Sequence, residues 1–290
     1  MKNFIHIGGV PEHYNYPWQA AIEQGRFAEK EIDVRWSDFA GGTGSMSKAL
    51  QSGDLDMAVL LPEGIIADIM HGGTSRIVQS YVVSPLLWGV HVSARSPLND
   101  VLQLKSPKFA ISRINSGSHL MSHLLAERQG FHLADDSFTL VNDLAGARQA
   151  LQQNPQLLFL WEKYTAKPLV DSGEFKRIGE IYTPWPSFVI AASEEMITHY
   201  GAHIQCVLDI INDMCRKLMK SPNTESQIAV RYGLNMPDTF EWFESVKWNT
   251  GAGVSTEALL QVCYFLHKRG IISHIPAGEM LTAHMGEVCA

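Results

Sequence analysis

An α/β fold is predicted: two Rossmann-like lobes joined by a two-strand hinge, with a helical C-terminal tail. Three observations predict it. Short apolar runs alternate with segments of helical period, the mark of parallel strands with crossover helices. Glycines and small hydroxyls cluster where strands give way to helices, as in AGGTGSM and RINSGSHLM. Two extended runs, 83–92 and 182–189, pass between the halves. Two crossings mean that the first lobe is interrupted by the second and resumed after it. Residues 1–85 are therefore assigned to lobe 1, 86–185 to lobe 2, and 186–290 to the return plus the C-terminal helices. A cleft between hinged lobes is a common place for a ligand.

The elements follow in order. Residues 4–7 read as a strand and 18–27 as a helix, with Pro17 suited to its first turn. A strand at 32–39, a short helix at 45–51 and an apolar strand at 55–61 come next, then a helix at 64–70 and a strand at 76–83. The second block has strands at 109–112, 138–141, 157–161 and 175–182, with helices at 118–129, 144–153 and 164–170. Ser116 or Ser118 caps the first of these helices and Gly130 stops it. TPWPSFVIAAS then interrupts, because proline disfavours helix at the residue before it, and 188–192 returns as a strand. From Glu194 onward the period is helical: 194–220 with a break near Gly201, then 225–232, 239–245 and 256–268.

Hydrophobic residues are 46% and charged residues 18%, the balance of a folded chain rather than a disordered one. The net charge is -7, from 23 basic and 30 acidic residues, so there is no global pull toward nucleic acid or anionic lipid. The expected partner is a small molecule, and an anionic one is compatible with a local basic spot. Cys206, Cys215, Cys263 and Cys289 form no CxxC pair and are expected as reduced, structural thiols. No Cys/His cluster has zinc-ligand spacing, so no metal or cofactor is expected. No segment approaches the roughly 18 apolar residues of a membrane span. MKNFIHIGGV enters a strand at once, without the pattern of a secretory leader. The expected location is cytoplasmic; a trimmed mature form would make it periplasmic and bring in a transporter partner.

Parallel sheets present ligands to the loops at the carboxyl ends of their strands. After the first strand, GGVPEHYNYPW supplies His13, Tyr14, Tyr16 and Trp18, which line a flat ligand or staple the helix to the core. After the second, Gly42, Thr43, Gly44 and Ser45 give backbone freedom and hydroxyls at a helix start, where N–H groups attract an anion or a carbonyl oxygen. GxxxxGK[ST] is absent, so this is no P-loop. After the third, Glu63 serves as a cap or as an acceptor for a ligand's amine or amide. The second block repeats the device with Ser116, Gly117, Ser118 and His119. Trp161 and Glu162 end a strand, and Trp185 lies near the presumed hinge. Two helix N-termini, one per lobe, make a clamp.

These residues resemble a known family. The run IHIGGVPEHYNYPWQAAIEQGRFAEKEIDVRWSDFAGGTGSMSKALQSGDLDMAVLLPEGIIADIMHGG looks like the first lobe of type II periplasmic-binding-protein-like domains. The nearest branch includes sulfonate-, taurine- and thiamine-precursor-binding proteins. Its motifs are a GxF helix end (residues 25–27), a GG loop (Gly41-Gly42), and ALxSGxxDxA (residues 49–58). SPLNDVLQLKSPKFAISRINSGSHLMSHLLAERQGF resembles the entry to the second lobe, and LFLWEKYTAKPLV resembles DAxxxWEPxxxxLV. Here Leu157-Leu158 replaces Asp-Ala and Lys163 replaces the proline. The resemblance spans residues 1–221. It implies two α/β lobes, a small ligand between helix N-termini, and similarity to free-standing cytosolic relatives. The function expected is solute binding, of a sulfonate-like or heterocyclic molecule. An enzyme of thiamine-pyrimidine or menaquinone-type metabolism on the same fold is the alternative, with His13, His119, Glu63 or Glu162 as its acid–base groups.

Overall fold

Met57, Ala58, Val59 and Leu60 are buried at every position, as a strand covered on both faces must be. The computed structural model describes residues 4–251 and 253–283. Cys289 lies outside them; Cys215 and Cys263 are buried free thiols.

The chain forms β1 (Ile5–Gly9), α1 (Tyr16–Glu23), β2 (Val34–Asp38), α2 (Gly42–Ser52), β3 (Met57–Leu60), α3 (Pro62–Met70) and β4 (Arg76–Ser93). Then come β5 (Phe109–Ile111), α4 (Gly117–Gln129), β6 (Phe138–Leu140), α5 (Leu144–Gln153), β7 (Leu158–Glu162), α6 (Lys167–Asp171) and β8 (Phe175–Ala192). The tail is α7 (Glu194–His199), α8 (Gly201–Leu218), α9 (Thr224–Tyr232), α10 (Met236–Ser245) and α11 (Thr256–Lys268).

The chain divides into two compact units. The first takes the chain up to Ser84, then Trp185–Tyr232, then everything from Phe243. The second takes Pro85–Pro184 and Gly233–Trp242. The sequence reading assigns 233–242 to the tail of lobe 1; side-chain pairing puts it in the second unit. Lys163 Nζ meets Glu241 at 2.8 Å, and Lys167 Nζ meets Asp238 at 3.1 Å.

In the first unit β1 pairs in parallel with β2 and β3, and β3 pairs antiparallel with residues 189–192 of β8. In the second, β5 pairs in parallel with β6 and β7, and β7 pairs antiparallel with β4. Ala110, Val141, Ala147, Leu151, Leu157, Phe159 and Phe175 form its core.

β8 runs unbroken through Pro184 and Pro186, where the sequence reading interrupts it. A proline's φ suits an extended chain, and prolines two apart remove donors from one edge of the strand only. Side-chain hydroxyls supply bonds beside the gap: Leu86 N–H donates to Thr183 Oγ1 at 2.9 Å, and Ser187 Oγ donates to Ser84 O at 2.5 Å.

Candidate functional site

In the first unit the tips after β1, β2 and β3 hold the predicted residues. α2 begins at Gly42, three residues before the expected start, with Gly41 as its cap and no side-chain capping bond. Gly42 has a φ of 64°, which glycine adopts without strain. Ser45 therefore lies inside the first turn and does not cap it; its Oγ donates back to Gly42 O at 2.8 Å. Gly44 lies in that same turn. Thr43 Oγ1 accepts from Leu61 N–H at 3.1 Å, which ties the start of α2 to the start of α3. Their approach is close: a Cβ on Gly64 would lie 2.4 Å from Thr43 Cγ2.

Glu63 occupies the first turn of α3 and is 1% exposed. Its Oε2 accepts from Trp185 Nε1 at 3.1 Å, while Oε1 is buried with no hydrogen-bond partner. Burial pushes the carboxyl up to about 7, against smaller lowering by its own N–H and by the Trp185 indole. Trp185 is itself buried, 5.0 Å from the Phe265 ring. It supports Glu63 instead of forming an open wall.

Trp18 belongs to the core. It is fully buried, with Trp36, Tyr81 and Phe27 at 5.9, 6.2 and 6.4 Å. A residue in the first turn of α1 faces its own sheet, so the aromatic tip reading fails for it. Tyr16 donates to Gln227 Oε1 at 2.8 Å, tying α1 to α9. Tyr14 is buried, and its carbonyl accepts from Tyr81 Oη at 2.8 Å and Trp248 Nε1 at 2.9 Å. His13, expected in solvent or at a ligand, is buried 4.7 Å from the Tyr14 ring. Burial pushes its imidazole down to about 3, so it is neutral.

In the second unit the loop between β5 and α4 is organised by hydroxyls. Ser116 caps α4, its Oγ accepting from His119 N–H at 3.4 Å. The same Oγ donates to Arg113 O at 2.6 Å and lies 3.1 Å from Ser118 Oγ. Ser118 is buried, and its Oγ accepts from Ser112 N–H at 2.9 Å. Its hydroxyl is engaged in shaping the loop, where the sequence reading offers it to a ligand. Gly117 opens α4 between the two serines. Asn115 N–H donates to His119 Nδ1 at 3.0 Å, with Asn115 at a left-handed φ of 61°. His119 Nε2 lies 3.2 Å from His123 Nε2. Since Nδ1 accepts, the ring proton of neutral His119 sits on Nε2 and points to His123. Burial, with His123 beside it, holds His119 down to about 4.

Trp161 lies partly buried against the second unit's core, stacked on Phe159 at 5.1 Å. Glu162 is buried, its Oε2 accepting from Thr165 N–H at 2.7 Å. That bond fixes the turn after β7, so the carboxylate is structural where the sequence reading offers it to a ligand.

Sequence reasoning missed Arg113. Its guanidinium is partly buried at the end of β5, and no carboxylate pairs with it among the described residues. Burial alone lowers its pKa. The signal was present: an arginine between a buried strand and a Ser-Gly-Ser helix start. Among the described residues no group of three or more His, Cys, Asp or Glu could hold a metal ion, and no helix is long and apolar enough to cross a membrane.

The family described as Ca3427-like periplasmic binding proteins matches residues 88–181. The CA3427 gene product of Candida albicans, which has the generic periplasmic-binding-protein fold, superposes with a TM-score of 0.89. It is 25% identical over 99% of this chain and 98% of that one. The chain has the two-lobe type II periplasmic-binding-protein fold. This fold also relates it to the aliphatic sulphonate-binding protein SsuA of Escherichia coli, with a TM-score of 0.72 at 15% identity over 100% and 95% of the two chains. SsuA of Xanthomonas axonopodis pv. citri, solved with MOPS bound, aligns with a TM-score of 0.75 at 17% identity over 97% and 96%. No curated protein matches the chain.

Proposed function

We propose that this periplasmic-binding-protein-like chain binds a small anionic solute of the sulfonate class. Arg113 carries the proposal. A partly buried guanidinium with no carboxylate beside it is favoured when an anion binds, because charge-assisted and bidentate hydrogen bonds are the strong ones. α4 begins four residues further on, and the N–H groups of a helix start attract an anion. Ser116 holds the Arg113 carbonyl, so the cation stands on a fixed loop. The solved sulfonate-binding relatives of the same fold support this choice of anion.

Isothermal titration with ethanesulfonate is expected to reveal one saturable site. Arg113→Gln should weaken it at least tenfold, with unchanged far-ultraviolet circular dichroism. Ser118→Ala should lower stability more than affinity, since its hydroxyl serves the loop. An affinity equal in wild type and Arg113→Gln, or no binding of any sulfonate, overturns the proposal.

A further inference from the structure

β2 has a free edge. It pairs in parallel with β1, from Ile5 with Val34 to Gly9 with Asp38, and no other strand joins it among the described residues. The bonds to β1 use alternate residues of β2 and its flanks. Ile5 N–H donates to Asp33 O at 2.7 Å, and Phe39 N–H donates to Gly9 O at 2.8 Å. Odd-numbered residues therefore face β1, and Val34, Trp36 and Asp38 turn their N–H and C=O groups outward. Such a row is a template for another strand, and proline or lysine commonly guards it. VRWSD has neither.

The sequence at that edge is its own complement. IDVRW, residues 32–36, reads apolar, acid, apolar, base, apolar. Laid antiparallel on a second copy about Val34, it sets Val34 against Val34, Asp33 against Arg35 twice, and Ile32 against Trp36 twice. Side chains alternate between the faces of a strand, so the charges meet on one face and the apolar residues on the other. Val34 with Val34 is then a hydrogen-bonded pair. The Asp33–Arg35 pairs are of the non-hydrogen-bonded kind, in which side chains come closest. Both charged groups face solvent: Arg35 is 59% exposed and Asp33 54%. Their 3.6 Å contact within one chain is a surface pair of little worth. Other registers conflict. Centring on Arg35 opposes like charges, and centring on Trp36 puts Val34 against Asp38. On the apolar face a cavity of about 370 Å³ lies beside the strand, lined by Ile22, Phe27, Ala28, Ile32 and Val34. Trp36 of the second copy, opposite Ile32, arrives at its rim.

We propose that β2 is a self-association edge: two copies of this chain pair their β2 strands antiparallel about Val34. The occupant is a second copy because IDVRW meets acid with base at both ends of its own reverse. A five-residue strand spans about 17 Å, short beside the contact of a permanent dimer, so the dissociation constant is on the order of 10 µM.

Sedimentation velocity of the full chain, from about 1 to about 300 µM, brackets that constant. The average mass of wild type is expected to climb from monomer toward dimer. Arg35→Asp opposes acid to acid and Asp33→Arg opposes base to base, so each alone should weaken association at least tenfold. An equimolar mixture of the two restores both attractions and should associate within threefold of wild type. That rescue cannot come from misfolded variants. Val34→Pro removes an outward N–H that the pairing with β1 does not use, and should give a monomer with unchanged far-ultraviolet circular dichroism. A wild type still monomeric at the highest concentration overturns the proposal. A dimer untouched by all three substitutions places the contact elsewhere and overturns it too, as does a mixture no more associated than its components.

Discussion

Glu63 bears on stability through its proton. Its folded value of about 7 lies above the ordinary 4.5, so the native chain holds the proton more tightly than the unfolded one. That contribution is complete below about pH 4.5 and is lost as pH rises through 7. Glutamine keeps the shape and never ionises. Glu63→Gln should therefore gain about 2 kcal/mol on wild type between pH 5 and pH 8, at about 1.36 kcal/mol per pKa unit. Urea midpoints at the two pH values measure this, and a difference that does not change with pH refutes it. At this scale the sequence was only partly legible. Glu63 stood out because it follows a buried strand, and Ser116 because it precedes a helix. Trp18 and Trp185 misled, because a Trp at a tip and a Trp in the core look alike until burial is known. Arg113 went unread because an arginine announces nothing until its lack of a carboxylate can be seen.

Elements were more legible than residues, since their signals add up over a window. α5 and α11 fall on the expected bounds, 144–153 and 256–268, each started by a residue whose side chain caps it: Asp143 and Ser255. α2 was harder, because glycine-rich starts score poorly as helix and packing against α3 decides them. That packing gives a test. A methyl on Gly64 would sit 2.4 Å from Thr43 Cγ2, closer than any relaxed contact. Gly64→Ala should cost about 1–3 kcal/mol, the usual penalty of overpacking. Thr43→Ser removes the methyl and keeps the hydroxyl that Leu61 N–H uses. Adding it to Gly64→Ala should recover most of the loss, as a double-mutant cycle in urea would read. Simple additivity of the two changes would show that the helix starts do not meet as described.

For the whole molecule, the resemblance carried the architecture, but amphipathic helices do not say which unit they join. Residues 233–242 were misassigned because partners remote in sequence, Lys163 and Lys167, decide their place. The division into units also sorts the buried titratable groups. The first unit holds His13 and Glu63; the second holds His91 and His119. His13 is pushed down to about 3, and His91 and His119 to about 4, by burial first in each case. A histidine held below its ordinary 6.5 supports folding above that pH, and the support is lost as pH falls toward its folded value. Glu63 has the opposite sign. At pH 5.5, unfolding the second unit takes up about two protons, whereas in the first unit one taken up by His13 offsets one released by Glu63. Lowering the pH from 7 to 5.5 should weaken the second unit by about 2–3 kcal/mol and change the first by less than about 1 kcal/mol. Amide exchange, corrected for its intrinsic pH dependence, reads the two units separately through β5 and β7 against β1 and β3. Protection should fall in the second set and hold in the first; an equal fall in both, or none in either, contradicts the balance of charges drawn here.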